Sequence, residues 1–501
     1  MNILASVFDK NGLDSFLKDI IRDGDIVYAT GKTAEFLKSS GIDAISTSKL
    51  SGFDELLGGR VKTLVPSIFA GILSNRDARS NEELKAMKYP QFDMVISNLY
   101  PFHKTAAGGD LDEMIENIDI GGISLIRAAA KNYAHVSVIT AKEQYESISR
   151  IIREEGTIPL SVRQDLAIKA FALAASYDID IYNSLSRKLL PEHSKEHLFL
   201  EFTGGTKLRY GENPDQEAYL YRSGEMLGIP WSIQMSGKEL SYNNILDSNA
   251  AFETALEFEE PSVVIVKHLT PCGVASSARL SEAYSKAFEA DPESAYGFVM
   301  SANVEIDAET AGLISKNFAE VVVAPSYSKE AFEILKKRKN LRILKASMER
   351  DPELRIRSVA GGILAQTPLR AMPIQPVLKT SMGAPATAMA DLLFAWKVVA
   401  HARSNAIVLA KSNAVTGMGS GQTSRVRALK IAGELAGEKA KGSVLASDAY
   451  FPFSDSVEEA KRLGVVAIIQ PGGSIRDNEV IAKCEEYSIP LYFTDKRVFL
   501  H

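Results

Sequence analysis

The sequence predicts an α/β fold made of parallel βαβ units, arranged in two successive regions. Three observations carry this. Strand-like runs ILASVF (3–8) and DIVYAT (25–30) flank LDSFLKDIIRD (13–23), whose apolar residues recur at helical spacing. The same alternation returns beyond residue 198. Polar, glycine-bearing turns follow several strand ends, where open α/β sheets bind their ligands.

Each element follows from its own pattern. TAEFLKSS (33–40) predicts a further helix, and FDMVISNLY (92–100) a further strand. From 158 to 190 the pattern is wholly helical, and PEHSKEH (191–197) is a polar segment opened by proline. A boundary is therefore expected there, between residues 1–192 and 198–501. In the second region VVIV (263–266), FVMSANVEI (298–306), VVVA (321–324), AIVLA (406–410), VLAS (444–447) and VVAII (465–469) read as strands. That region is large enough for two α/β subdomains, divided near 365–385.

The 501 residues are 46% hydrophobic and 24% charged, which argues against disorder and against a fibrous fold. A net charge of −6 excludes a broadly basic nucleic-acid binder while allowing a local anion pocket. Cys272 and Cys484 are too few for a disulfide framework or a four-cysteine zinc site. No apolar run approaches the roughly 20 residues that span a bilayer, and Asp9 interrupts the N-terminus before a signal-peptide core could form. A soluble cytoplasmic enzyme, with neither membrane nor nucleic acid as partner, is expected.

Two turns in the first region have the composition of a phosphate cradle: Ser6-Val7-Phe8-Asp9-Lys10 and Thr30-Gly31-Lys32-Thr33. Backbone N–H groups at a helix start, with hydroxyls and a lysine nearby, suit an anion; ordinary helix caps would look the same. A Walker A reading of GKT fails because position 26 is isoleucine, not glycine. Gly58-Gly59-Arg60-Val61-Lys62-Thr63 lets a backbone approach a ligand faced by two cations. Tyr100 ends a predicted strand and offers a phenol. Asp119 lies beside Gly121-Gly122, with Arg127 and Lys131 two to three helical turns on.

In the second region VVIV runs into Lys267-His268, followed by an expected Pro271-x-Gly273 turn. Histidine takes a proton near neutral pH, and an adjacent lysine stabilises an oxyanion. The segment resembles half of a zinc-deaminase site, but Cys272 is followed by Gly-Val-Ala and the His-x-Glu and Pro-Cys-x-x-Cys ligand set is absent, so no metal is expected. Ser404-Asn405, the glycine run 417–421 before Gln422-Thr423-Ser424-Arg425, and the 470–477 segment are further polar turns. Arg209-Tyr210 places another cation beside a ring.

Taken in order, SVFDK, GGRVKTL, NLYPF, IDIGG…RAAAKN, LRYGENPDQ, LSYNNILD, VKHLTPCGVA, DPESAYGF, VVVAPSY, SNAIVLAK, GSGQTSR, SDAYFPFSD, QPGGSIRD and RVFLH closely resemble the bifunctional AICAR formyltransferase/IMP cyclohydrolase family. The resemblance runs nearly end to end. It implies a methylglyoxal-synthase-like cyclohydrolase domain, then two cytidine-deaminase-like subdomains forming the formyltransferase. It further implies a homodimer, the substrates AICAR and formyl-AICAR, and 10-formyltetrahydrofolate as co-substrate.

By the same resemblance Lys267, His268 and Asn405 are the formyl-transfer residues. Arg209, Tyr210, Asn244, Gly297, Glu320 and Arg425 hold the nucleotide; Val426, Tyr450, Asp455 and His501 lie near the folate. Ser6, Lys10, Thr30, Gly31 and Thr33 form the cyclohydrolase phosphate cradle, and Arg60, Lys62, Thr63, Tyr100, Asp119 and Lys131 act on the closing ring. The chain departs from the family pattern at Val65 and Phe69, where histidines are usual, at Lys32, and at Tyr296-Gly297-Phe298. Val65 and Phe69 motivate an alternative, a monofunctional formyltransferase with a nucleotide-binding or regulatory N-terminal domain.

Overall fold

Ile3, Leu4 and Ala5 are wholly buried at the centre of a parallel sheet, and the rest of the N-terminal unit is layered around them. The computed structural model describes every residue except 54, 55, 101, 103–107, 109, 193–195 and 353. It divides into two compact units, Met1–Glu201 and Phe202–His501. Part of the expected linker 191–197 lies outside the described residues.

The first unit's strands are β1 (Asn2–Ser6), β2 (Ile26–Ala29), β3 (Ala44–Ser46), β4 (Met94–Ser97) and β5 (Ser137–Ile139), in spatial order β3-β2-β1-β4-β5. All pairings are parallel. Its helices are α1 (Leu13–Ile20), α2 (Gly31–Ser39), α3 (Ser48–Ser51), α4 (Pro66–Leu73), α5 (Ala78–Met87), α6 (Leu111–Glu116), α7 (Gly121–Lys131), α8 (Tyr145–Glu155) and α9 (Leu160–Leu189). Leu13, Phe16, Leu17 and Ile20 form one buried stripe of α1, which is why the sequence period was readable. Strand order reverses between β1 and β4, the position where open α/β sheets form a ligand crevice.

The observed strands are shorter than expected, for local reasons. β1 stops at Ser6, not residue 8, because the Phe8 and Asp9 N–H groups turn to Asn98 Oδ1. β4 stops at Ser97 for the same reason. In the second unit the strand expected over 298–306 stops at Ala302, since Asn303 spends its side chain on Phe258 O, Glu260 O and Ser262 N–H.

The second unit holds one mixed 12-stranded sheet. Its elements run β6 (Thr203–Lys207), β7 (Tyr219–Arg222), β8 (Ile233–Ser236), α10 (Tyr242–Ala255), β9 (Ser262–Lys267), β10 (Thr270–Ser276), α11 (Leu280–Phe288), β11 (Phe298–Ala302), α12 (Ala308–Ile314), β12 (Ala319–Ala324), α13 (Lys329–Leu335) and β13 (Arg342–Lys345). After the ribbon β14 (Arg355–Val359) and β15 (Gly362–Gln366), the order repeats. It continues as β16 (Val377–Leu378), α14 (Ala386–Val399), β17 (Ile407–Lys411), β18 (Ala414–Gly419), α15 (Arg425–Ala436), β19 (Val444–Ser447), α16 (Asp455–Leu463), β20 (Ala467–Gln470), α17 (Asp477–Glu486) and β21 (Leu491–Phe493).

The spatial order β16-β21-β20-β19-β17-β18-β10-β9-β11-β12-β13-β8 is the same half written twice in opposite senses, joined where β10 pairs antiparallel with β18 at Ala275 and Ala414. Both faces are covered: Val264 and Val266 of β9 enter the core beneath α14, while Val263 and Ile265 enter the core beneath α11. Buried Glu257, just after α10, is gripped by Arg350 (3.1 Å) and His401 (3.3 Å). Burial alone would raise its pKa, but these partners hold it down at about 2.

Two expected turns are strands instead. Pro271 and Gly273 lie within β10, and Gly417 and Gly419 within β18. Glycine is required there by close helix approach: an added Cβ would come to 1.9 Å from Ala287 O at Gly273 and 2.1 Å from Ala432 O at Gly417. The strand expected over 465–469 likewise begins late. From 463 the chain is the end of α16, a left-handed Gly464 cap, and then β20 from Ala467.

Candidate active sites

The carboxyl ends of β1 and β2 bring Ser6, Thr30 and Thr33 together. Thr30 Oγ1 lies 3.4 Å from both Ser6 Oγ and Thr33 Oγ1, and Thr33 Oγ1 donates to Val7 O at 3.3 Å. Thr30 is the N-cap of α2, yet its side chain does not cap the helix. The first backbone N–H groups of α2, starting with Gly31, are left beside three hydroxyls, an arrangement suited to a phosphate. Lys32 is exposed, while Lys10 folds back with its Nζ 3.3 Å from Phe8 O.

Asn98 fastens the Ser6–Lys10 turn. Its Oδ1 accepts from Phe8 N–H (2.6 Å) and Asp9 N–H (3.1 Å), and its Nδ2 donates to Asp9 O (2.8 Å). The sequence reading singled out neighbouring Tyr100 and passed over Asn98. Tyr100 is exposed, its ring 4.6 Å from that of Phe8. Phe8, Asp9, Asn98, Thr140 and Lys142 border a cavity of about 440 Å³.

The 58–63 loop reaches the start of α7, where an added Cβ on Gly121 would touch Thr63 Oγ1 at 3.1 Å. Thr63 is buried; Arg60 is exposed and paired with Glu116. Lys62 is half-buried within the same loop. Asp119 Oδ1 accepts from Gly122 N–H at 2.6 Å, and Tyr177 holds the Asp119 backbone. Burial raises the Asp119 pKa, against the hydrogen bonds from Gly122 and Ile123. Lys131 is the last residue of α7, about 15 Å along the helix axis from its start. Val65 belongs to the core and Phe69 packs against it.

In the second unit, His268 and Leu269 form the two-residue turn between β9 and β10, with φ of +50° and +65°. Lys267 Nζ donates to Tyr296 O (2.8 Å) and Gly297 O (3.2 Å), and Gly297 takes φ +67° to present that carbonyl. Asp247, on α10, accepts from Leu269 N–H at 2.7 Å. Burial raises its pKa, opposed by that hydrogen bond and by nearby His268 and Lys267. One α10 turn earlier, Asn244 Nδ2 donates to Glu320 Oε2 at 2.8 Å. Lys267, His268, Asn244, Gly297 and Glu320 are thus neighbours, and Asp247 is the member the sequence reading did not single out. Arg209 lies over the Tyr210 ring, in a loop tied to α10 by Asn243 Nδ2 and Glu212 O.

A second cluster surrounds Asn405. Its Nδ2 donates to Gln422 O (2.8 Å), and its Oδ1 accepts from Arg425 Nη2 (2.7 Å). Arg425 is buried and also serves Asp448, Ser447 Oγ and Tyr450 O, so it reaches outward chiefly through Asn405. Val426 follows on α15, while Tyr450 and Asp455 are exposed. The C-terminal segment is tied in by Ser404 N–H to Leu500 O (2.9 Å), next to His501. Among the described residues no group of three or more His, Cys, Asp or Glu side chains is placed to hold a metal ion. No helix among them is long and apolar enough to cross a membrane.

Comparison with known proteins gives the family. The AICARFT/IMPCHase bienzyme family model matches residues 129–435, and the MGS-like domain model matches residues 12–124. The bifunctional purine biosynthesis protein PurH of Bacillus cytotoxicus is 43% identical over 99% of both chains. PurH of Ruminiclostridium cellulolyticum is 45% identical over 99% of both. An MGS-like parallel-sheet domain followed by a larger α/β region is also what the structure contains. On the matched length and identity, this chain belongs to the AICARFT/IMPCHase bienzyme family.

Proposed function

We propose a division of the family's two activities between the two units. The chain is a bifunctional enzyme of purine biosynthesis, with AICAR formyltransferase and IMP cyclohydrolase activity and a formyl-folate co-substrate. Formyl transfer is assigned to the second unit and ring closure to the first, with domains 1–192 and 198–501 and a subdomain division near 365–385. The observation that carries the assignment is the β9–β10 turn, where a lysine clasped by two carbonyls stands beside a histidine on a left-handed corner.

In formyl transfer the weakly nucleophilic 5-amine of AICAR attacks the formyl carbon of 10-formyltetrahydrofolate. His268 takes the amine proton as the N–C bond forms, and Lys267 faces the oxyanion. The bond to folate N10 then breaks, and that nitrogen takes up the proton. Positioned proton transfer of this kind is worth roughly 10²- to 10⁴-fold. Asn405, held by Arg425, orients the reacting groups. Arg209, Tyr210, Asn244, Gly297 and Glu320 hold the nucleotide, and Val426, Tyr450, Asp455 and His501 border the folate.

In ring closure the carboxamide nitrogen bonds to the formyl carbon, and the formyl oxygen leaves as water. Ser6, Lys10, Thr30, Gly31 and Thr33 hold the phosphate. Arg60, Lys62, Thr63, Tyr100 and Asp119 surround the reacting end, where burial raises the Asp119 pKa above its ordinary value. Lys131 is retained in this set only by the family resemblance. The reaction is intramolecular, so holding the two ends together supplies much of the rate.

A cytoplasmic homodimer acting on small molecules, without a metal, is the setting proposed. The ribbon β14–β15 supports the dimer: its Ile356, Val359, Ile363 and Leu364 are all exposed, and a lone two-stranded ribbon is marginal in water. Incubation with AICAR and 10-formyltetrahydrofolate, with formyl-AICAR and IMP separated by chromatography, tests the whole reading. IMP with little intermediate is expected. Accumulating formyl-AICAR would remove the cyclohydrolase assignment, and absence of both products would remove the formyl-transfer assignment.

A further inference from the structure

The repeat in the second unit contains an internal control for the His268 turn. Asp247 is the sixth residue of α10, and Asp391 is the sixth residue of α14. Each carboxylate holds the hairpin turn that follows it. Asp247 Oδ1 accepts from Leu269 N–H at 2.7 Å; Asp391 accepts from Ser412 N–H at 2.9 Å and Asn413 N–H at 2.7 Å. Both turns are left-handed, Ser412 and Asn413 having φ of +55° and +52°. The lysine before each turn is also repeated. Lys267 Nζ donates to the carbonyls of Tyr296 and Gly297, and Lys411 Nζ donates to Lys441 O at 3.3 Å, beside Gly442.

An aspartate, a left-handed turn and a lysine donating to backbone carbonyl oxygen are therefore features of the folded half itself, present whether or not chemistry occurs there. Two differences mark the first half. Ser412 stands where the first half has His268, and Asp391 spends both oxygens on its turn while Asp247 spends one. Among the described residues Asp247 Oδ2 accepts no hydrogen bond from the protein. The charged groups around Asp247 are His268 on the turn, Lys267 on β9 and Glu320 on β12, the last bearing Asn244 and, at 3.9 Å, Arg342.

We propose that Asp247 is a positioning residue for formyl transfer. One carboxylate oxygen holds the corner that presents His268, and the charge kept on the other supports the imidazolium formed when His268 takes the amine proton. Asp391 performs only the first task. This inference rests on the reading of His268 as the proton acceptor.

The test is the pH dependence of kcat/KM for formyl transfer in the full-length enzyme, with melting temperature measured alongside. Asp247→Asn preserves an acceptor for Leu269 N–H but removes the charge, so the acid limb is expected to move to lower pH, because a nearby opposite charge favours the protonated imidazole. Asp391→Asn is expected to leave the limb unmoved and to alter only stability. Should Asp247→Asn fail to fold, Asp247→Glu keeps the charge while displacing the acceptor, so kcat should fall with the limb in place. An unmoved limb in Asp247→Asn, an equal movement in Asp391→Asn, or a moved limb in Asp247→Glu would overturn the proposal. A His268→Ala enzyme retaining both rate and limb would instead overturn the reading beneath it.

Discussion

Arg425 Nη2 donates to Asn405 Oδ1 at 2.7 Å, and this bond fixes which way the Asn405 amide faces. The guanidinium is held from behind by Asp448, which is wholly buried. A lysine has one compact ammonium and cannot span both partners. Arg425→Lys is expected to lower kcat/KM for formyl transfer at least tenfold, about 1.4 kcal/mol of barrier. Cyclisation of supplied formyl-AICAR should be unchanged, as initial rates of the two half-reactions will show.

Lys267→Ala separates the two sites most directly. It removes the cation clasped by Tyr296 O and Gly297 O. Formylation should fall by 10²-fold or more, on the order of one lost oxyanion donor, with cyclisation intact. Equal loss of both activities in a folded enzyme would contradict the division between units.

Asn98→Ala is expected to give the converse result. Three hydrogen bonds from this side chain hold the Ser6–Lys10 turn. Their loss should cost roughly 2 kcal/mol of stability in the first unit and raise KM for formyl-AICAR. Formylation of AICAR serves as the unaffected control, and thermal unfolding reports the stability term.

Glu257 makes the second unit acid-sensitive. Its pKa is held at about 2, below the ordinary 4.5, by His401 and Arg350 against the opposing effect of burial. A depressed folded-state pKa gives stability that is complete above pH 4.5 and lost as pH falls towards 2. The contribution is on the order of 3 kcal/mol. Glu257→Gln should flatten this acid limb of the unfolding midpoint, measured by denaturant titration from pH 6 to 3; an unchanged limb would refute the assignment.

Gly417→Ala places a methyl 2.1 Å from Ala432 O. The α15 backbone would have to move away from β18, so a loss above about 3 kcal/mol is expected, as for severe overpacking. A melting temperature within two degrees of the parent would show that the helix can yield.

The alternating α/β order was legible because each element carries its own period. Leu13, Phe16, Leu17 and Ile20 write the buried stripe of α1, and VVIV writes a strand covered on both faces. The Ser6, Thr30 and Thr33 cradle and the Lys267-His268 pair were legible as residue types at strand ends. Less visible were partners set by long-range contact. Asn98 fastens a turn some ninety positions earlier in the chain, and Asp247 holds one on another element. Glycine-rich segments misled because the same residue serves a turn and a close helix approach. Gly273 and Gly417 sit in strands for the second reason.

The sequence by itself determined the α/β class, the family resemblance and the residue types available for two chemistries. Only the tertiary structure decided which of those residues meet. It brings Asn244, Glu320, Gly297 and Lys267 together from separate elements, turns Arg425 inward onto Asp448, and leaves Lys131 a helix length from the start of α7. Periodicity is a local property of the chain, whereas the facing of two side chains depends on strand order and helix packing, which are settled by burial over the whole unit.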